Sequence, residues 1–480
     1  MRLEAGLRAS RLTIEQTGER NGERTAWLPA VGAGAITTVT VVAVAATHQP
    51  GRLALAALGG IVVLAAALVE PRLVFAGILF ALAGYLPDVL LSNGTAGPAL
   101  LAVMAGAVVL RASTRVESWP VPREMWWLLA FGCALVVSSA GAADAGAANS
   151  RIVDFIGFAL LVALMLLLVD SEAALRRAMW CVAGAIGVLA VLALVQRAAH
   201  LNSTAFGGLA TMVRDGSTLR SGGPLSANFF GEILAPAAIL GVYLALDARS
   251  KRARAVAVGI SFACVAALFE TGSRGAFVAI VAAVALCMLL RRVRVITWVA
   301  IIVAAVLAIG LLLPADARAR LSALGGALST SSIEQNDSFR GRLSENLAAL
   351  DMFRVHPLTG VGPGNFETHY LSYAPALNLD QRAEVRSAHS LYLESLAETG
   401  LLGTIAFFGL IAFALLRAWR GRRSGNVRLG LLTEGALVAL FAFLVGALTL
   451  HLAYPRFLWL FVGLTLAAGR TARKSRKAVA

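Results

Sequence analysis

Apolar residues along this chain come in long unbroken runs, each near the ~20 residues that cross a bilayer as a helix, with short polar stretches between them. Fourteen such runs stand out, at 27–47, 52–69, 72–91, 96–111, 124–143, 152–169, 174–196, 226–247, 253–270, 275–290, 295–313, 400–417, 429–451 and 455–469. They do not show the short alternating segments of a membrane barrel. Hydrocarbon leaves every unpaired backbone amide unsatisfied, so helices are the spanning element these runs predict. The expected fold is all-α: a polytopic transmembrane helical bundle of about 12–14 spans with a large helical loop outside the bilayer.

The polar stretches set the topology, because arginine and lysine collect in loops that stay in the cytoplasm. Starting with the N-terminus inside places Arg111, Arg115 and Arg123, then Arg176 and Arg177, on the cytoplasmic side. The same choice puts Arg249, Lys251, Arg252 and Arg254 there, followed by Arg291, Arg292 and Arg294. Arg417, Arg420, Arg422, Arg423 and Arg428 join them, as does a tail carrying Arg473, Lys474, Arg476 and Lys477, so both termini are expected to be cytoplasmic. The layout that follows is a cytoplasmic tail at 1–26 and transmembrane helices over 27–313, with outward loops at 197–225 and 271–275. An extracytoplasmic loop spans 314–399, C-terminal transmembrane helices span 400–469, and a basic tail spans 470–480. The first residues lack the apolar core and small-residue cleavage site of a signal peptide.

Composition agrees. Hydrophobic residues are 58% and charged residues 14% of 480, too little polarity to cover a soluble protein of this size. A net charge of +15 would suit nucleic acid, but the basic residues sit in short clusters between apolar runs, as topology signals do. Cys133, Cys181, Cys264 and Cys287 all fall inside apolar runs, where a thiol behaves as a small hydrophobe. Neither a disulfide framework nor a metal cluster is predicted.

Three outward segments hold the polar residues that topology leaves unexplained: 197–225, 271–275 and 314–399. Arg220, Arg274, Arg340 and Arg342 run against the positive-inside bias, and binding an anion gives them a reason to be there. After a basic and Ser-rich approach from Asp316 to Asp337, Arg342–Val355 carries Leu343, Leu347, Leu350 and Phe353 at helical spacing, which predicts an amphipathic helix. It should stop at His356-Pro357, since proline cannot continue a helix and its predecessor is pushed out of the helical region. Gly360-Val-Gly-Pro-Gly-Asn-Phe366 then reads as a tight turn; it lacks the Gly-Lys-Ser/Thr ending of a nucleotide loop. A second helix is expected from about Ser387, carrying His389, Tyr392, Leu393 and Leu396, and leading through Gly400 and Gly403 into the next span. His356, His369 and His389 lack the compact spacing of a metal motif, so no metal site is expected.

His389 is the leading candidate for chemistry. With an ordinary pKa of ~6.5, an imidazole takes a proton from a hydroxyl near neutral pH, although a histidine at a membrane interface also serves as a packing or capping residue. Arg274 sits in a very short turn between two apolar spans, where a charge near lipid is costly and calls for a partner. A snorkelling contact with headgroups is its other reading, as a surface charge is for Arg220. Asn228 either orients a ligand or caps a span. Arg342, Glu345, Glu394 and Glu398 are helix-surface charges or contacts to an acceptor.

The setting of these residues decides among the readings. Ala388-His389-Ser390, followed nine residues later by Gly400-Leu-Leu-Gly403, resembles the histidine signature of the O-antigen ligase and polymerase family. Arg220-Ser-Gly-Gly-Pro-Leu-Ser-Ala-Asn228 resembles that family's Arg, Gly, Pro and Asn segment before a span, and Thr271-Gly-Ser-Arg274-Gly resembles its Ser-Arg-Gly turn. The segment from Arg342 to Phe366 resembles the one preceding its histidine, so the likeness covers approximately residues 200–410. It departs in Ser390, where Asn is commoner, and in having more spans than the usual dozen.

The resemblance implies a GT-C-like membrane glycosyltransferase of cell-envelope polysaccharide or lipopolysaccharide synthesis in the bacterial inner membrane. It would be metal-independent and inverting, and would need no cofactor. The donor would be an oligosaccharide or polysaccharide on undecaprenyl pyrophosphate; the acceptor hydroxyl would belong to lipid A core, a growing glycan or a protein. His389 would activate that hydroxyl, and Arg220 and Arg274 would hold the pyrophosphate. ATP is not expected outside the cytoplasmic membrane, so an outward-facing transferase suits a donor that arrives activated, and arginine suits the charge developing on its phosphates. A different class, a secondary transporter or bicarbonate-handling protein of the same superfamily, would place acidic groups at mid-membrane; Asp88, Asp154 and Glu270 lie near span ends, while Glu232 and Glu434 stand isolated within spans.

Overall fold

The computed structural model describes residues 60, 62–91, 96–115, 122–215, 218–292, 337–376, 387–451 and 456–479. The expected spans at 27–47 and 295–313, the tail at 1–26, most of the approach before Asp337 and the side chain of Arg340 lie outside the described residues. The chain divides into two compact units, one running to Glu117 apart from residues 83–85, the other holding the rest. In the first, helices α1 (Pro71–Ala83), α2 (Leu86–Leu91) and α3 (Ala96–Arg115) carry apolar side chains, of which Phe75, Ile78, Leu79 and Met104 are fully buried.

The second unit is the larger helical body. Its helices are α4 (Met125–Ser139), α5 (Ala145–Leu168), α6 (Glu172–Ala198), α7 (Ala227–Asp247), α8 (Lys251–Thr271) and α9 (Arg274–Arg291), then α10 (Asp337–Val355), α11 (Phe366–Ala376), α12 (Leu391–Gly421), α13 (Val427–Gly446) and α14 (Arg456–Val479). Among the described residues seven helices are long and apolar enough to cross a membrane: α5 to α9, α12 and α13. Pro71–Ala83, Gly97–Leu110 and Met125–Ser139 are shorter apolar helices. This is the multi-pass, all-α architecture the hydrophobic pattern predicts. Between α6 and α7 it adds three short antiparallel strands, β1 (Thr204–Ala205), β2 (Ala210–Asp215) and β3 (Thr218–Ser221), in the order β1-β2-β3.

Local chemistry fixes where the helices begin. Ser171, Ser250 and Asn426 each accept a hydrogen bond from a first-turn amide of α6, α8 and α13, satisfying donors that a helix start leaves open. Ion pairs then tie together one set of helix ends. Arg176 of α6 meets Asp247 of α7 at 2.5 Å, with Arg428 of α13 at 3.8 Å from the same carboxylate, while Arg417 of α12 meets Glu124 before α4 at 2.5 Å. Glu434, isolated by sequence, accepts hydrogen bonds from Arg291 Nε at 2.8 Å and from the Tyr243 hydroxyl at 2.9 Å. It is a brace between α7, α9 and α13. The basic clusters thus gather at one end of the body, and the segments around Arg220, Thr271 and His389 gather at the other.

Two expectations for the segment after 337 need correction. Helix α10 does form, but its fully buried face is Ala348, Ala349 and Met352, with Ser344 and Glu345 beside them, whereas Leu343 and Leu347 are 49% and 39% exposed. Small residues let α10 approach its neighbours closely, and that close face packs in preference to the larger leucines. Its partners are Val361, Phe366, Tyr370, Ala374, Ala388 and Ala397, and the Ser344 and Tyr370 hydroxyls meet at 3.0 Å. The following long helix starts at Leu391 rather than Ser387, so His389 sits in the bend before it.

Candidate active site

The turn Thr271-Gly-Ser-Arg-Gly275 ends one helix and begins the next within two residues. Gly272 takes the left-handed conformation (φ 59°) that closes α8, a conformation glycine adopts without a Cβ penalty. Ser273 caps α9, accepting from the Ala276 amide at 3.4 Å. Arg274 is therefore the first residue of α9; it is exposed and makes no ion pair or hydrogen bond with a described residue. The adjacent Gly275 abuts Thr449, in the turn between α13 and α14.

Arg220 reaches this turn from strand β3, where it pairs with Val213. Its Nε donates to the Thr271 carbonyl at 2.7 Å and its Nη2 to Asn228 Oδ1 at 2.5 Å. Ser226, not Asn228, caps α7, accepting from the Phe229 amide. Asn228 on the first turn is thereby free to hold the guanidinium in place. Two of the singled-out sequence segments are joined here by direct hydrogen bonds.

His389 enters through backbone pairing. The Leu391 amide, at the start of α12, donates to the carbonyls of Ala447 and Leu450 at 3.1 and 2.9 Å, and the Tyr392 hydroxyl donates to the Leu444 carbonyl at 2.9 Å. These bonds fasten the His389 bend to the end of α13. His389 Nδ1 lies 2.5 Å from Glu345 Oε2 on α10, at the distance of an ion pair though off the direction of an aligned hydrogen bond. Glu345 is almost wholly buried, while the His389 side chain keeps 19% of its surface. A carboxylate against Nδ1 orients the ring and leaves Nε2 as the nitrogen that can act on a ligand.

The 447–451 turn supplies a residue that sequence reasoning missed. The His451 ring lies edge-on to His389, with centroids 6.0 Å apart, and edge-on to Phe229 at 5.0 Å. It so bridges the His389 bend and the α7 start that carries Asn228. Burial, with contributions from His389 and Arg151, pushes the His451 pKa down to about 4, so its ring is neutral at physiological pH. The available signal was slight: one polar side chain at the end of an apolar run. One turn along α7 from Asn228, Glu232 is fully buried against Gly446, and neither of its oxygens has a hydrogen-bond partner among the described residues.

The remaining candidates take up separate positions. Glu398 Oε2 accepts from the Gly364 amide at 2.8 Å and Oε1 from the Phe366 amide at 3.4 Å, so this carboxylate fastens the glycine turn and the start of α11. Glu394 is buried one helical turn before it, with Oε2 lacking a hydrogen-bond partner among the described residues. Arg342 is half-buried on α10, one turn before Glu345. No group of three or more His, Cys, Asp or Glu suited to a metal ion is found among the described residues.

Residues 257–408 match a family model described as O-Antigen ligase. The teichuronic acid biosynthesis protein TuaE of Bacillus subtilis (strain 168) is 29% identical over 151 residues, 29% of this chain. That match spans 30% of the length of the relative. The family match contains Arg274, Arg342, Glu345, His389, Glu394 and Glu398, and leaves Arg220, Asn228 and His451 outside it.

Proposed function

From the premise that residues 257–408 carry the O-antigen ligase match, we propose that this multi-pass membrane protein is a glycosyltransferase of cell-envelope glycan synthesis. It moves an oligosaccharide or polysaccharide from undecaprenyl pyrophosphate to an acceptor hydroxyl on the extracytoplasmic face. The observation that carries this reading is the convergence of segments far apart in sequence. Arg220 bonds both to Asn228 and to the turn before Arg274, and the His451 ring stands between His389 and Phe229, the neighbour of Asn228.

Each side chain then has a task. His389 Nε2 takes the proton as the acceptor oxygen attacks the anomeric carbon, and Glu345 stabilises the imidazolium that forms. The bond from that carbon to the pyrophosphate breaks, and its electron pair leaves on the phosphate oxygen. Arg220 and Arg274 meet that charge; guanidinium is permanently protonated and pairs with phosphate through two parallel hydrogen bonds. Attack opposite the leaving group inverts the sugar carbon. Transport has one supporting observation, Glu232, buried and without a hydrogen-bond partner among the described residues. It leaves the exposed Arg274 and the Glu345–His389 pair without a task.

The test is release of polyprenyl pyrophosphate from a lipid-linked glycan by purified protein, in wild type and in Arg220→Ala and Arg274→Ala. Acceptor-dependent release by wild type, reduced ~10²-fold or more in both folded variants, is expected. Unchanged release in both variants would remove the arginines from the site, and absence of release in wild type would remove the transferase reading.

A further inference from the structure

His451 lies outside the matched family segment and in none of the sequence motifs, yet its ring stands edge-on both to His389 and to Phe229, the neighbour of Asn228. Its Nδ1 is buried without a hydrogen-bond partner among the described residues, and the residue as a whole stays partly accessible. A buried polar atom left unpaired costs about 1–3 kcal/mol, a cost tolerated where a ligand's hydrogen bond offsets it. A neutral imidazole both donates and accepts, which suits a hydroxyl, and a neutral ring avoids repelling the imidazolium that forms on His389. The two ring centres are 6.0 Å apart. Hydrogen bonds of about 2.8 Å from two such rings can reach neighbouring hydroxyls on one sugar.

We propose that His451 binds the acceptor by a hydroxyl next to the one His389 deprotonates, so that the acceptor is a sugar with adjacent hydroxyls rather than a lone side-chain hydroxyl. This rests on the transferase reading and deepens it, since it separates a glycan or sugar-bearing acceptor from a protein serine or threonine. His389 performs the proton transfer; His451 holds the acceptor in register while it happens, which orients the attacking oxygen.

The experiment measures transfer by the full chain in lipid nanodiscs, with a polyprenyl-pyrophosphate-linked glycan as donor. The acceptors are methyl hexopyranosides, their monodeoxy analogues and a serine-containing peptide. Wild type, His451→Phe, which keeps the ring packing, and His451→Gln, which keeps a hydrogen-bonding group, are compared. The expected result is an acceptor KM raised ~10-fold or more in His451→Phe, with donor KM unchanged and recovery in His451→Gln. Removing the neighbouring hydroxyl from the sugar should cost wild type the same factor and His451→Phe nothing further. Equal acceptor KM in wild type and His451→Phe, or an equal deoxy penalty in both, would overturn the inference. So would transfer to the peptide alone, although the transferase reading would survive it. No donor turnover by wild type with any acceptor overturns that reading and the inference together.

Discussion

At the scale of single residues, the site depends on what holds His389. Glu345→Gln keeps the shape and removes the charge facing Nδ1, so kcat should fall by about 10- to 100-fold, short of the ~10²–10⁴-fold expected of a lost general base. Rapid-mixing or steady-state transfer assays read this directly. His451 gives a second prediction through pH. Its ordinary pKa is 6.5 and its folded value about 4, so between those values the unfolded chain binds the extra proton. Stability from this group is complete above 6.5 and is lost as pH falls toward 4. The melting temperature of wild type should drop between about pH 7 and pH 5, and less so in His451→Phe. His389, Arg220 and Arg274 stand out in the sequence as candidates because each sits in a compact local motif. Glu345 and His451 are less legible there. The first reads as a helix-surface charge or a contact to an acceptor, and its pairing with His389 comes from burial against a residue 44 positions away in sequence. The second is a single histidine whose importance lies in contacts to Phe229 and His389.

At the scale of elements, the break in α12 explains the Gly400-Leu-Leu-Gly403 spacing. Gly400 has φ 58° and ψ −161°, a region open essentially to glycine, and any Cβ there would run into the Leu358 carbonyl. The broken helix is repaired by the 357–362 turn: the Val361 and Gly362 amides donate to Ala397 and Glu398, and the Leu401 and Leu402 amides donate to Pro357 and Leu358, all within 3.2 Å. One strand of turn thus holds the outer piece of α12, with His389 at its head, against the membrane-crossing piece. Gly400→Ala should lower stability by at least about 2 kcal/mol and abolish transfer without touching any charged residue, as thermal unfolding and activity would show together. The sequence revealed helices, the proline stop and the glycine turn, because periodicity and proline chemistry are local. It misjudged the packed face of α10, because spacing marks a helix but not which stripe its neighbours cover, and here the alanine stripe is covered. Strand β3, which carries Arg220, went unseen in a 29-residue polar loop, since its pairing with β2 covers only four residue pairs.

At the scale of the whole molecule, the ion-paired basic ends and the candidate site occupy opposite ends of the larger unit. The positive-inside rule predicts that the site end faces away from the cytoplasm, the side on which the proposed lipid-linked donor would be met. In a background with the four cysteines replaced, Ser203→Cys should react with an impermeant maleimide added outside intact cells, and Lys251→Cys should react only after the membrane is opened. The reverse pattern would turn the site inward. The central claim, that this site transfers a glycan through His389, is tested most directly by one comparison: transfer of a lipid-pyrophosphate-linked glycan to a sugar acceptor by purified wild type and by folded His389→Ala, at saturating donor and acceptor. Robust transfer by wild type with a loss of ~10²-fold or more in the variant is the result predicted. Equal rates in the two proteins would contradict it.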